Sequence, residues 1–205
     1  MRKFSSRLVL LILFGLLALT IDCASAVKSV YKKPGLETNE LKYVKRVAVL
    51  VDQNSVPTAD QAIRDRMLIF RTREHLIHHS EFIVYSAKPG NILNVCKAEK
   101  KLNGVLLHRL SSLKQDGGDL NFAMTTGLYD CKTGDRLWEA GSQVSYEMND
   151  SDFGTLIAGD VKRFGESARV YSAPFYRLIA AVFEKLPNPD LTDAEKLEKI
   201  DADAN

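Results

Sequence analysis

Two stretches in which larger, more apolar residues fall on every second position constrain the fold of this 205-residue chain most strongly. They cover residues 120–128 and 138–148, and the segment Asp130–Asp135 between them contains Gly134 and has the composition of a hairpin loop. A period of two is typical of strands with one buried face. The sequence therefore predicts an antiparallel hairpin. Its more polar face either stays in water or meets a partner.

The segments before this hairpin alternate between strand and helix patterns. Lys45–Val51, Phe82–Tyr85 and Val105–Leu110 are short apolar runs, while residues 57–80 and 91–102 carry apolar side chains at helical spacing. Strands and helices that alternate with short connections favour a partly parallel sheet. We expect an α/β (α+β) fold with a single mixed sheet, built as β-α-β-α-β followed by the antiparallel hairpin and C-terminal helices.

This pattern divides the chain into four parts. Residues 1–26 are predicted to be a signal peptide. Residues 27–43 are polar with a Pro-Gly turn signal and are predicted to be an N-terminal tether. Residues 44–187 form a single α/β domain whose last helix starts near Ser172, and residues 188–205 form a polar C-terminal tail with one short capped helix.

The predicted signal peptide has the three usual regions. Basic residues at the N-terminus precede the apolar run Leu8–Leu19, and Ala24-Ser25-Ala26 has the small-x-small pattern that signal peptidase recognises. The run is 12 residues long, whereas a membrane-spanning helix needs about 20. We therefore expect an exported protein located in the periplasm.

Cys23 offers a second processing route, because a cysteine just after an apolar run can become the acylated first residue of a bacterial lipoprotein. Asp22 stands where that processing requires a small residue, so cleavage after Ala26 is favoured. Lipidation at Cys23 would make the protein membrane-bound and outer-membrane-associated.

Net charge limits the kinds of molecule that the exported chain can bind, and its cysteine content limits the disulfides that it can form. Removing residues 1–26 leaves 25 basic and 25 acidic residues, so the net charge is zero. This balance argues against nucleic acid as a partner and against membrane binding other than through a lipid at Cys23. Cys96 and Cys131 are the cysteines that remain, and they either form a disulfide or stay separate thiols.

The segments KRVAVLV (residues 45–51) and GLYDCKTGDRLWEAG (residues 127–141) resemble small bacterial envelope domains, namely the TolB N-terminal domain and the CsgG-like periplasmic domain families. The similarity covers residues 45–150. It implies an uncharacterised envelope protein, in typical cases lipidated, that acts in assembly through protein contacts and not in catalysis.

Histidines at positions 75, 78 and 79 form the one cluster of metal-ligating residues. His75 and His79 are one helical turn apart and can share a metal ion, with Glu74 or Glu81 as a carboxylate ligand. The alternative is a solvated helix end, where the negative C-terminal end of the helix dipole stabilises a cationic imidazole. The sequence thus leaves open an exported metal- or small-ligand-binding protein.

We identify no catalytic residues and no cofactor-binding motif. Gly154 and Gly159 have P-loop spacing without the required lysine, no serine lies in a nucleophile elbow, and Cys131 has no histidine base nearby in sequence. Our main hypothesis is a non-enzymatic interaction or assembly module with a protein partner in the envelope. Tyr129, Trp138 and Tyr146 either contact that partner or pack within the sheet.

Overall fold

The protein, described here by a computed structural model for residues 25–86 and 90–203, contains a six-stranded mixed sheet in the order β1-β6-β5-β4-β2-β3. The strands are β1 Val27–Lys32, β2 Arg46–Val51, β3 Ile83–Tyr85, β4 Gly104–Asp116, β5 Asp119–Asp130 and β6 Arg136–Glu147. The helices are α1 Gln61–His79, α2 Ile92–Ala98, α3 Gly154–Phe164, α4 Arg169–Phe183 and α5 Asp193–Asp203. Strand β2 is parallel to β3 and β4, and the remaining pairs are antiparallel. The predicted fold class is confirmed.

The two faces of the sheet are covered unequally. Successive residues of β2 point to opposite faces. Val49 joins the large core beneath α1 and α4, whereas Leu50 joins a smaller cluster beneath α2 that includes Val95. On the side of α2, the sheet beyond this small cluster carries mostly polar side chains.

The hairpin packs its even-numbered residues into the core, as its alternation predicts. Trp138 and Ala140 are fully buried, and the Trp138 indole Nε1 donates to the backbone carbonyl of Lys185 at 3.1 Å. Leu137 is also fully buried, although neighbouring strand residues normally face opposite sides. The register explains this difference: Trp138 pairs with Leu128, but the next pair joins Tyr129 to Arg136, so Leu137 is the extra residue of a β-bulge.

The segment 27–43, predicted as a tether, is instead part of the domain. Val27–Lys32 forms the edge strand β1 paired with β6, and the buried side chains of Leu36 and Leu41 join the core. The prediction was wrong because β1 is stabilised by backbone pairing to a distant strand, which a polar, largely exposed sequence does not reveal.

The segment 188–205 is also more than a tail. Its capping box is confirmed, since the backbone N–H of Thr192 donates to the Glu195 carboxylate at 2.8 Å. Helix α5 then lies against β3, where Lys45 Nζ donates to Glu195 at 2.7 Å and Arg46 Nε donates to Glu198 at 2.7 Å. Long-range ion pairs thus hold the C-terminal helix on the sheet edge.

Helix α4 begins at Arg169, one turn before the predicted start near Ser172, with Pro174 inside it. Ser172 is buried and donates to Asp160 of α3 at 2.5 Å. Asp160 also pairs with Arg71 of α1 at 2.5 Å. This buried network joins the three helices on the core side of the sheet, and sequence analysis missed it.

Candidate functional site

The sheet surface opposite α1 and α4 carries a row of large polar side chains. We call this surface the open face and define it by Tyr31, Arg109, Tyr129, Arg136 and Glu139. These residues lie on β1, β4, β5 and β6, so the row runs across the strands. Arg109 and Arg136 are the most exposed, with 57% and 45% of their side-chain surfaces accessible.

Direct contacts order one half of the open face. The Arg136 guanidinium lies 4.6 Å from the centre of the Tyr31 ring, and its Nη1 donates to Glu139 at 2.7 Å. Tyr129 is the register partner of Arg136. Burial, with a contribution from the Glu139 charge, raises the pKa of Tyr129 above its usual value, so its hydroxyl remains a neutral donor at physiological pH.

Gly127 permits the position of the Tyr129 ring. A Cβ atom at position 127 would lie 2.7 Å from a carbon of that ring, closer than carbon atoms can approach. The ring therefore lies along the sheet instead of standing out from it. Aromatic coverage of a strand glycine in this way protects the backbone and leaves a flat, partly exposed aromatic surface.

A crevice of about 450 Å³ adjoins the open face at the carboxyl end of β2, where the parallel pairing of β2 with β4 ends at His108. We call it the crevice. Its described lining consists of Asp52, Gln53, Asn54, Gly90, Asn91, Ile92, Leu93, Asn94, Lys97, Leu107 and Arg109.

Asp52 and Arg109 form the charged pair of the crevice. Arg109 donates to Asp52 Oδ2 from Nε at 2.7 Å and approaches it through Nη2 at 2.5 Å. Burial of Asp52 opposes its ionisation, but the bonds from the Asn54 N–H and from Arg109 outweigh burial and lower the pKa of Asp52. The pair is therefore ionised at neutral pH.

A disulfide joins α2, one side of the crevice, to the hairpin loop. The structure pairs Cys96 with Cys131 at a Cα–Cα distance of 5.4 Å. The Asn91 side chain caps the helix by accepting from the Asn94 N–H at 2.9 Å. Sequence analysis had left the pairing of the cysteines open, because only the fold brings α2 beside the loop.

The predicted histidine cluster lies elsewhere, in a groove of about 170 Å³ between α1 and α4. The His75 and His79 rings are 4.9 Å apart, and Glu74 and His78 line the same groove. His75 is half-buried against Phe183, and burial together with the charge on His79 lowers the pKa of His75. His78 and His79 are exposed in the last turn of α1, as the solvated-helix-end alternative expects, whereas His75 is only partly exposed.

The groove does not bring together a complete set of metal ligands. Across residues 25–86 and 90–203, no group of three or more His, Cys, Asp or Glu side chains is arranged to hold a metal ion. The structure adds no third ligand to His75 and His79, so no observation favours the metal-binding alternative.

His108 is a residue that sequence analysis missed. It is fully buried in β4, with Nε2 2.8 Å from the Thr72 hydroxyl and Nδ1 2.8 Å from the Thr126 hydroxyl. Burial lowers its pKa to about 3. The signal was its alternation with Leu106 and Leu110, which places it on the core face of β4. A neutral ring between two hydroxyls has a structural role here.

The aromatic residues proposed for partner contact are separated by the fold. Trp138 lies in the core, Tyr146 is half-buried on the same side near Arg177, and Tyr129 lies on the open face. Only Tyr129 of these three is thus placed to contact a partner on that face.

The processing signals at residues 1–24, including Cys23, lie outside the described residues. Within the described ranges, none of the helices combines the length and apolarity needed to cross a bilayer.

No protein-family model and no curated protein matches the chain. Among solved structures, a PelC dodecamer from Paraburkholderia phytofirmans is 14% identical over 79% of this chain and 97% of that chain, with a TM-score of 0.49. Lipoprotein GNA1162 from Neisseria meningitidis is 14% identical over 60% and 98%, with a TM-score of 0.42. A minor lipoprotein from Acinetobacter baumannii is 9% identical over 73% and 98%, with a TM-score of 0.30.

Structures similar to this chain thus include bacterial lipoproteins. The TM-scores of these three are below 0.5, so the matches carry no weight for function. The narrower resemblance to the TolB and CsgG families stays a prediction.

Proposed function

We propose that this chain is a non-enzymatic module of the bacterial cell envelope that binds a protein partner through the open face. The observation that carries the proposal is the convergence of Tyr31, Tyr129 and Arg136 on a sheet surface that the core helices leave uncovered. Tyrosine and arginine are enriched at the energetic centres of protein interfaces, because each combines a large contact area with directional hydrogen bonds.

The geometry of these side chains supports the same proposal. The Tyr129 ring lies over Gly127, and the Arg136 guanidinium is held between Tyr31 and Glu139. Side chains already held in position lose little conformational entropy when a partner binds. The exported location predicted from residues 1–26 places that partner in the periplasm, or at the outer membrane if Cys23 is acylated.

Site-specific photo-crosslinking in the envelope of the producing cell tests the proposal. A benzophenone amino acid at position 129 should give a discrete crosslinked species, whereas the same probe at the exposed Lys162 on α3 should not. Arg136→Ala should reduce the crosslink from position 129, because truncation of a central interface arginine costs about 2 kcal/mol or more. Equal crosslinking from positions 129 and 162, or no effect of Arg136→Ala, would contradict the proposal.

A further inference from the structure

The crevice lies where chain connections diverge to opposite faces of the sheet. The helix that follows β2 is α1, which packs on the core side of the sheet. The helix that precedes β4 is α2, which packs on the other side. In open α/β sheets, ligands bind outside the carboxyl ends of parallel strands at such a divergence. The crevice volume of about 450 Å³ also falls in the usual range for small-molecule sites, roughly 300–1,000 Å³.

The charges of the crevice favour an anion. Asp52 receives both contacts from Arg109 on its Oδ2 atom, so the carboxylate is already neutralised and the Arg109 Nη1 takes no part in the pair. Lys97, on α2, forms no ion pair with any residue in the described part of the chain. Two cations and one carboxylate leave a net positive charge, and the bond to Asp52 holds the guanidinium in place to bind a second carboxylate.

The remaining lining defines the rest of the ligand. Side-chain amides of Gln53, Asn54 and Asn94 can donate to and accept from a peptide group. Ile92, Leu93 and Leu107 add an apolar surface, and Leu93 is 55% exposed and therefore accessible to a ligand. A ligand that satisfies all three parts has a carboxylate, an adjacent apolar side chain and an amide.

We propose that the crevice binds a carboxylate ligand of this kind, with the chemistry of a peptide C-terminus or a free N-acylated amino acid. Arg109 and Lys97 bind the carboxylate, and Leu93 contacts the apolar side chain. The crevice adjoins the partner surface of the proposed function and shares Arg109 with it, but purified protein without a partner is sufficient to test ligand binding.

Nuclear magnetic resonance titration of the full-length protein with N-acetyl-leucine provides the test, and N-acetyl-leucinamide is the uncharged control. The acid should shift amide signals of residues 52–54, 91–97 and 107–109 saturably, with a dissociation constant on the order of 1 mM. The amide should bind roughly tenfold more weakly, because it lacks the charge-assisted hydrogen bonds. A tripeptide acid ending in leucine distinguishes the two sources: tighter binding than N-acetyl-leucine identifies a peptide terminus, and equal binding identifies a free small molecule.

Matched variants complete the experiment. Lys97→Gln and Arg109→Gln should each weaken binding of the acid roughly tenfold, and Lys162→Gln on the other side of the sheet should not change it. Since Lys97 is exposed, its variant remains folded even if loss of the Asp52 partner destabilises Arg109→Gln. Equal binding of acid and amide, or shifts that do not saturate at these residues, would overturn the proposal.

Discussion

The Nδ1 atom of His108 lies 2.8 Å from Oγ1 of Thr126, its register partner on the neighbouring strand. Because Thr72 occupies the other ring nitrogen, the imidazole is held within the core between α1 and β5. Its pKa of about 3 in the folded protein, against 6.5 for an ordinary histidine, couples protonation of this residue to unfolding.

Stability should therefore fall at acidic pH. As the pH decreases below 6.5, the unfolded chain binds a proton at His108 while the folded protein stays neutral until about pH 3. The stabilisation that the neutral ring gives the folded protein is complete above pH 6.5 and decreases by on the order of 1 kcal/mol per pH unit below it. Urea unfolding between pH 7 and 5 measures this loss. His108→Gln should unfold more easily at pH 7 but with a shallower pH dependence, and identical pH dependences would contradict the assignment.

Trp138→Ala should lower the free energy of unfolding by about 3–5 kcal/mol, the usual cost of truncating a large buried aromatic residue. The indole is fully buried, stacks on Phe183 at 6.4 Å and bonds to the Lys185 carbonyl. As the chain has a single tryptophan, its fluorescence reports on this site alone. We expect blue-shifted emission that iodide quenches poorly, and emission like that of free tryptophan would place the indole in water.

Replacement of both Cys96 and Cys131 by serine should lower the free energy of unfolding by about 3–4 kcal/mol. The reason is that the disulfide, with a sequence separation of 35, reduces the conformational entropy of the unfolded chain. The same change should loosen α2, whose small apolar cluster includes Val95 and Leu102. Urea unfolding of oxidised and variant protein gives the cost. Detection of two free thiols in the native exported protein would show that the bond does not form.

Glu195→Gln should loosen α5 at the sheet edge, although the Arg46–Glu198 pair remains. Its hydrogen bond from Lys45, aided by the Thr192 N–H, lowers the pKa of Glu195 to about 2, so the contact holds at neutral pH and is lost as the pH falls from 4.5 towards 2. Limited proteolysis near residue 190 should become several-fold faster in the variant. Lys196→Gln is the control, because among the described residues the Lys196 ammonium pairs only with the fully exposed Asp193. Equal cleavage rates would indicate that α5 is not held by this contact.

The mature protein should begin at Val27. Cleavage after Ala26 leaves the edge strand β1 complete, because Val27 is its first residue and pairs with Ser142. Intact-mass measurement of protein purified from the envelope checks this. A mass that includes a diacylglyceryl group on Cys23 would instead show a lipoprotein, whose anchor would lie only a few residues from the sheet.

The sequence by itself determined the features that depend on local periodicity. Alternation in residues 120–128 and 138–148 predicted the hairpin and its buried face, and the apolar run ending at Val51 predicted the first parallel strand. These predictions succeeded because burial of one face imposes a period of two on the residues of a single strand. The proposal that the polar face meets a partner also began with this pattern.

Only the tertiary structure decided the features that depend on distant partners. Strand β1 is stabilised by β6, and α5 is positioned by Lys45 and Arg46 while Leu197 and Ile200 stay about two-thirds exposed at 66% and 65%. A helix that packs through its charged side has no hydrophobic periodicity that reveals its position. The crevice likewise exists only because the fold brings β2, α2 and β4 together. Contacts between residues far apart in sequence leave no local pattern, and these contacts position the edge strand, the last helix and the proposed binding site.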